Sequence, residues 1–324
     1  MIVWVDDSLF DGTKSDIDLL SLLRQAARRR HTLMISSAPS QMWNREPPNF
    51  STWQQKNLTA KLRREVSFLL ERLRMISSNL VTRGKAKPIW VTERDFPGVN
   101  ACILNLEQAI RAVALPLHIL IENQINDAAF LRIVMPPAWG AKLEAWERSG
   151  ELRYVQAGGI TEMRRLFEFH SQDGYAQKAF GLPAKIWILT HFLIYDHDGD
   201  KASAVGVGTN DLEKAIGKTA IAHHRLGRRT QEHYLPKASL LKIADLRLTG
   251  IEDKRNLTDA INSHFLCEES VRHFTVLPKL GKKPNFKGEF EKSENASVWD
   301  SADFEADGIW PEMTLLAEAI AAAI

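Results

Sequence analysis

Short apolar runs alternate with amphipathic segments along the first 245 residues of the chain. The run LPLHILIE at 115–122 is almost free of charge, as in a strand that is buried on both faces of a parallel sheet. The segment 58–76 instead places apolar side chains three and four residues apart, which is the period of an amphipathic helix. This alternation predicts an α/β fold with parallel sheets.

The first part of the chain is predicted to form a small parallel α/β unit. Strands are expected at 2–5, 31–36 and 87–93, and helices at 15–30 and 58–76. We assign residues 1–112 to an N-terminal α/β domain, whose role its sequence does not indicate.

Residues 113–245 repeat the alternation and are predicted to be a second, Rossmann-like domain. Strands are expected at 115–122, 151–157 and 184–196, the last of which exceeds the usual strand length and leaves room for a lead-in, and helices at 126–135, 138–149, 161–170 and 211–222. Asn210, with Glu213 three residues later, resembles a capping box for the last of these helices.

Residues 246–324 are predicted to be a helical C-terminal extension. Helices are expected around 256–266 and after Trp310, where Pro311 suits a first helical turn. The polar stretch 279–296 between them is predicted to be a loop that is mobile or contacts a partner.

The charge balance gives no net positive charge of the size that would indicate a nucleic-acid-binding protein. Lysine and arginine total 42 against 40 acids, a net charge of +2. The whole chain therefore has no global attraction for polyanions, although a local basic surface remains open.

Cellular location is predicted from cysteine usage and hydropathy. The two cysteines, Cys102 and Cys267, form no CxxC pair and no zinc-ligand spacing. The N-terminus is apolar for only five residues before Asp6, unlike a signal peptide, and no apolar stretch reaches the length of a membrane span. We expect a reduced, cytoplasmic protein without a membrane segment.

Acidic residues follow each of the three strands predicted in the middle segment. Glu122 ends the first strand, Glu162 follows the Gly158–Gly159 turn after the second, and Asp196, Asp198 and Asp200 end the third. Carboxyl ends of parallel strands share one edge, so these carboxylates are expected to converge. Clustered carboxylates repel one another and attract a hard cation such as Mg²⁺ or Mn²⁺.

The D-x-D spacing suggests how two of these acids share a metal. In an extended chain, Asp196 and Asp198 point to the same side while His197 points away. Gly199 would allow the sharp exit that follows.

Three stretches, HILIENQINDAAFL, GGITEM and FLIYDHDGD, together resemble the TOPRIM domain shared by topoisomerases, bacterial primases and OLD-type nucleases. The resemblance spans 115–236 and implies that Glu122, Asp196 and Asp198 hold a divalent metal. It also places Asp127 where some members carry an acid, which would either support the metal ligands or bind a second metal. The stretch RLGRRTQEHYLP is similar to a segment of defence-associated members.

One position departs from the family pattern. The family usually carries glycine after the glutamate, and this chain has Asn123. Asparagine tolerates left-handed backbone better than most residues, so the turn is expected to persist.

Several further residues have a functional and a plain interpretation. Glu162 is a metal ligand or an acid placed by a helix dipole. Lys201 stabilises a pentavalent phosphate or only solubilises the loop. The arginine-rich segment either clamps phosphate or ends a solvated helix, with Glu232 organising it; its basic members are Arg225, Arg228 and Arg229.

The sequence thus predicts a hydrolase, an Mg²⁺-dependent endonuclease with one or two metals and a DNA or RNA substrate. The resemblance implies an antiviral or toxin-like effector beside a separate ATPase, since no GxxxxGK[ST] motif occurs here; homo-oligomerisation is left open. Topoisomerases need a larger chain with a tyrosine nucleophile, and primases carry a zinc element. The alternatives are a regulatory Mg²⁺-binding subunit and a phosphatase or receiver-like protein that uses Asp6 and Asp7.

Overall fold

The computed structural model describes residues 1–28, 31–37, 47–78, 89–94, 102–278, 286–292 and 297–324. It contains two four-stranded sheets in which every neighbouring pair of strands is parallel. The predicted α/β class with parallel sheets is therefore confirmed.

The strands are β1 (Ile2–Asp6), β2 (Thr32–Ser36), β3 (Ile89–Val91), β4 (Cys102–Leu104), β5 (Leu117–Ile121), β6 (Leu152–Gln156), β7 (His191–Tyr195) and β8 (Ala222–Arg225). The helices are α1 (Asp16–Arg28), α2 (Pro48–Asn57), α3 (Ala60–Ser78), α4 (Leu106–Ala114), α5 (Gln124–Val134), α6 (Pro137–Arg148), α7 (Ile160–His170), α8 (Asp173–Phe180), α9 (Ala184–Thr190), α10 (Val207–Ile216), α11 (Lys237–Arg247), α12 (Ile251–Leu266), α13 (Glu269–Arg272), α14 (Ser301–Ala306) and α15 (Trp310–Ala323). Short 3₁₀ turns lie at Asp7–Phe10, Gln231–Tyr234 and Phe286–Glu289.

The chain divides into two compact units. Unit 1 contains Met1–Pro116, His170–Thr190 and Ile324, and unit 2 contains Leu117–Phe169 and His191–Ala323. This differs from the predicted division, because residues 170–190 group with the N-terminal unit and residues 246–323 group with the second sheet.

Unit 1 is built on a sheet of order β2-β1-β3-β4. Alternate residues of β1 face opposite sides. Val3 and Val5 join the main core with α1, α3 and α4. Trp4 packs edge-on against Trp90 with ring centroids 5.3 Å apart, and its indole nitrogen donates to Ser36 at 2.6 Å.

Unit 2 is built on a sheet of order β6-β5-β7-β8. Three consecutive residues of β5, 119–121, and three of β7, 192–194, are buried. Burial on both faces explains the uninterrupted apolar runs by which these strands were predicted.

Two local predictions are wrong. Residues 184–190 form α9 rather than the start of a strand, since Ile186 packs into the core of unit 1 and β7 begins only at His191. The capping box is absent, because α10 begins at Val207 after Gly206. Glu213 instead pairs with Arg225 at 2.7 Å.

The C-terminal residues are integral to unit 2. Phe130 of α5 packs edge-on against Phe290 and Tyr234, with centroids 5.3 and 5.6 Å away. The predicted loop 279–296 lies mostly outside the described residues. In the part of the chain that is described, no helix combines the length and apolarity needed to cross a bilayer.

Candidate active site

The strand order of unit 2 has a switch point between β5 and β7. From β5 the chain moves to β6 on one side, then returns to place β7 and β8 on the other side. The connections after β5 and β7 therefore leave in opposite directions. In open α/β sheets, ligands bind at the carboxyl ends of the strands at such a switch point.

Glu122 and Asp196 are the first residues after the two strands that flank this switch point. β5 ends at Ile121 and β7 ends at Tyr195, and the two strands pair in register at Leu120 and Leu193. Neighbouring strands lie about 4.8 Å apart. The structure thus brings both acids to one edge, where Glu122 is half-buried and Asp196 is 5% exposed.

The D-x-D loop is not extended as predicted. Asp198 has a φ of 55°, in the left-handed region, and it is exposed whereas Asp196 is buried. Its amide donates to the carbonyl of Arg229 at 2.8 Å. A left-handed residue interrupts the alternation that would place both acids on one side, so the expectation of a shared side is wrong.

His197 points into the protein. Its side chain is buried and packs edge-on against Phe274, with centroids 5.0 Å apart. Burial lowers the pKa of His197 below its ordinary value. The ring therefore supports the loop as part of the core.

Close backbone approach, rather than an unusual φ, is why glycine is needed at position 199. A Cβ atom added there would lie 1.8 Å from the carbonyl oxygen of Ala204. One added at Gly206 would lie 2.7 Å from the Cβ atom of Asp198. The two glycines allow the loop to fold back on itself behind Asp196.

Asn123 and Asp127 hold the start of α5. Asn123 is extended, with a φ of −130°, and its side chain accepts from the amides of Ile125 and Asn126. The buried carboxylate of Asp127 accepts from the Asn123 amide at 3.0 Å. Asn123 thus serves as the helix cap with an extended backbone, and the turn before α5 does not use the left-handed conformation that asparagine tolerates.

Glu162 lies in the first turn of α7, after Gly158 and Gly159, whose φ angles are 85° and 107°. Its side chain is exposed and pairs with Arg165. Lys201 is also exposed and forms an isolated bridge with Ala204. These placements agree with the plain interpretations of Glu162 and Lys201, as a helix-end acid and a solvated loop lysine.

The predicted five-acid metal site was Glu122, Asp127, Glu162, Asp196 and Asp198. Among the described residues, no three or more His, Cys, Asp or Glu side chains form a group that could hold a metal ion. Mg²⁺, however, keeps several waters and takes one or two protein carboxylates together with substrate phosphate. Glu122 and Asp196, at adjacent strand ends, fit that smaller donor set.

The arginine-rich segment is largely committed to internal contacts. Arg228 is buried, and its Nη1 donates to the His233 carbonyl and to Asp307, both at 2.8 Å. Arg225 pairs with Glu213. The prediction that Arg228 clamps phosphate is therefore wrong, because its guanidinium does not face solvent.

Arg229 and Glu232 are both half-buried. Arg229 Nη1 donates to the carbonyl of Phe274 at 3.1 Å, and Glu232 lies in the 3₁₀ turn Gln231–Tyr234. With Arg225, they are the residues of the predicted nucleic-acid contact that keep partial solvent exposure.

Two acids that organise this segment were missed in the sequence. Glu312 of α15 accepts from the Tyr234 hydroxyl at 2.8 Å and from the Gly227 amide at 2.7 Å. Hydrogen bonds from His224, Gly227 and Tyr234 hold the pKa of Glu312 below its ordinary value, against the opposing effect of burial. Asp307 and Glu312 are 79 and 78 residues from their partners Arg228 and Tyr234, so no local motif identifies them.

Asp6 and Asp7 of unit 1 are both buried and satisfied. The Asp6 carboxylate accepts from Thr92 at 2.7 Å and pairs with Arg94. Asp7 accepts from the amides of Asn49 and Phe50, at the start of α2. These contacts favour structural roles over the phosphatase or receiver-like alternative.

Comparison of the chain with protein-family models, with curated proteins and with solved structures finds no match.

Proposed function

We propose that this protein is an Mg²⁺-dependent nuclease with a TOPRIM-like domain, acting on phosphodiesters at the carboxyl edge of the second sheet. The observation that carries the proposal is the placement of Glu122 and Asp196 immediately after the two strands that flank the switch point. The motifs that resemble TOPRIM supply the same pair of acids. The resemblance further suggests an effector of an antiviral or toxin-like system.

In this proposal Asp196 and Glu122 both hold the metal, and Glu122 also acts as the general base. The buried Asp196 and the half-buried Glu122 hold the metal, which when bound lowers the pKa of water and neutralises charge on the scissile phosphate. Glu122, with its greater exposure, would accept a proton from the attacking water as the water oxygen bonds to phosphorus; the bond from phosphorus to the leaving oxygen breaks, and solvent protonates that oxygen. Asp198, which is exposed on the same loop, would add negative charge near the metal.

The test is cleavage of plasmid DNA, single-stranded circular DNA and total RNA with Mg²⁺ or Mn²⁺, with EDTA as the control. Glu122→Gln and Asp196→Asn should each lower the rate by about a hundredfold or more, the usual contribution of a general base. Glu162→Gln is the matched control, because Glu162 is exposed and pairs with Arg165. Full activity in either site variant overturns the assignment.

The alternative is a regulatory subunit that binds Mg²⁺ and assembles with an ATPase. It is favoured by the absence of a group of three metal-ligating side chains among the described residues. Wild-type protein that binds Mg²⁺ in calorimetry but cleaves none of the three substrates would support this alternative and contradict the nuclease.

A further inference from the structure

Basic charge is concentrated in two stretches of the sequence, which overlap α1 and α3. Residues 24–31 contain four arginines and no acid, and residues 56–74 contain six basic residues and two acids. Because the whole chain has a net charge of only +2, the rest of it is net acidic. Such an asymmetry marks a local surface for a polyanion.

The structure packs α1 and α3 against each other. α1 and α3 are in contact, and Arg24 of α1 donates to both carboxylate oxygens of Glu65, at 2.6 and 2.9 Å. One of the two acids of the second segment is thus already neutralised inside the pair of helices.

The solvent side of α3 carries a stripe that we call the α3 stripe: Lys61, Arg64, Phe68 and Arg72. All four are exposed, whereas Val66 and Leu73 on the opposite side are buried. Within the described ranges, neither Arg64 nor Arg72 forms an ion pair with a carboxylate. Spacings of three and four residues along a helix place the four side chains on one face, over about 16 Å.

Phe68 adds an exposed aromatic ring to the basic side chains of the α3 stripe. Its side chain is 67% exposed and lies four residues from Arg64 on one side and four from Arg72 on the other. An aromatic ring between guanidinium groups is how proteins bind single strands, since bases stack on the ring while arginines contact the phosphates. A duplex, with its bases already stacked, cannot use the ring.

We propose that the α3 stripe binds single-stranded nucleic acid, through stacking on Phe68 and phosphate contacts from Lys61, Arg64 and Arg72. The inference deepens the proposed nuclease function, on which it rests for the identity of the substrate. It assigns single strands as that substrate and places their binding on unit 1.

The test measures fluorescence anisotropy of a labelled oligothymidylate with the full chain in EDTA, so that binding is recorded without cleavage. Phe68→Ala should weaken binding by about fivefold to a hundredfold, the value of one stacked base, and Phe68→Trp should retain it. Plotting the logarithm of affinity against the logarithm of salt concentration gives a slope to which each phosphate contact contributes roughly 0.7. The double variant Arg64→Gln/Arg72→Gln should therefore reduce the magnitude of this slope by about 1.4.

The matched control is Arg148→Gln/Lys237→Gln, which removes two exposed charges of unit 2 and should leave binding unchanged. Circular dichroism checks that each variant is folded; should Phe68→Ala misfold, Phe68→Leu removes the stacking surface with less change in volume. Equal affinity for duplex and single strand, or variants of the α3 stripe that bind like the control, overturns the inference, as does no binding at low salt.

The nuclease function and the single-strand binding surface can be contradicted independently of each other. Binding that depends on the α3 stripe without any cleavage in Mg²⁺ contradicts only the nuclease. Cleavage that depends on Glu122, with binding indifferent to Phe68 and to the arginines, contradicts only the surface assignment.

Discussion

Arg228 and Asp307 form a buried ion pair, with Nη1 and Oδ2 2.8 Å apart and side-chain exposures of 6% and 14%. Arg272 also reaches Asp307, at 3.3 Å. Asp307 of unit 2 therefore pairs with two arginines, Arg228 and Arg272. The arginine that sequence motifs assign to phosphate binding thus serves to connect α14 with the segment after β8.

Asp307→Ala is therefore expected to destabilise the protein by about 3–5 kcal/mol, the cost of leaving a buried charge without its partner. Urea unfolding monitored by circular dichroism measures this. Asp303→Ala is the control, because its pairing with Lys242 is long, 3.8 Å, and solvent-exposed, and exposed pairs contribute about 0–1 kcal/mol. Equal losses in the two variants would contradict the structural role of Asp307.

Gly199→Ala is expected to disrupt the loop behind Asp196. The new methyl group cannot lie 1.8 Å from the Ala204 carbonyl, so the loop must open and move Asp196. The rate of cleavage should fall by at least tenfold, because a rise of about 1.4 kcal/mol in the activation free energy gives that factor. Gly174→Ala is the control, since open space surrounds that position; wild-type cleavage in Gly199→Ala would refute the tight loop.

Acid should destabilise unit 2 through His264 and His273. Burial, then the charges of His233 and Arg272, lower the pKa of His264 to about 4. Burial, then Arg228, Arg272 and His233, lower that of His273 to about 3, while Glu312 opposes this shift. The unfolded chain therefore binds more protons below the ordinary value of 6.5. The contribution of these two histidines to the free energy of unfolding is fully present above that pH and is lost as pH drops toward 4.

The expected loss at pH 5 is on the order of 1 to 2 kcal/mol per histidine. Urea midpoints at pH 7, 6 and 5 measure it, and the sign is fixed: unfolding becomes easier as pH falls. His264→Gln should flatten this dependence, and His223→Gln, at an exposed position, should not. A midpoint that rises on acidification would show that these histidines are not buried in neutral form.

The parallel sheets and the placement of Glu122 and Asp196 could be predicted, because burial on both faces leaves a continuous apolar run and the acids directly follow it. The limits of β7 could not be predicted, since AKIWILT is as apolar as a strand and yet forms α9, whose Ile186 packs into the core of unit 1. The contacts of Arg228 could not be predicted either, because its partner Asp307 is 79 residues away in the sequence. Local patterns do not encode such distant pairing.

The return of residues 170–190 to unit 1 has a consequence for biosynthesis. The ribosome must translate beyond Thr190 before the N-terminal unit has all of its parts, and by then the first two strands of unit 2 have emerged. A fragment ending at Pro116 would lack α8 and α9 and leave apolar side chains near Leu182 and Ile186 uncovered. Neither unit corresponds to one continuous length of messenger, so a premature stop or a proteolytic cut between β6 and β7 damages both at once.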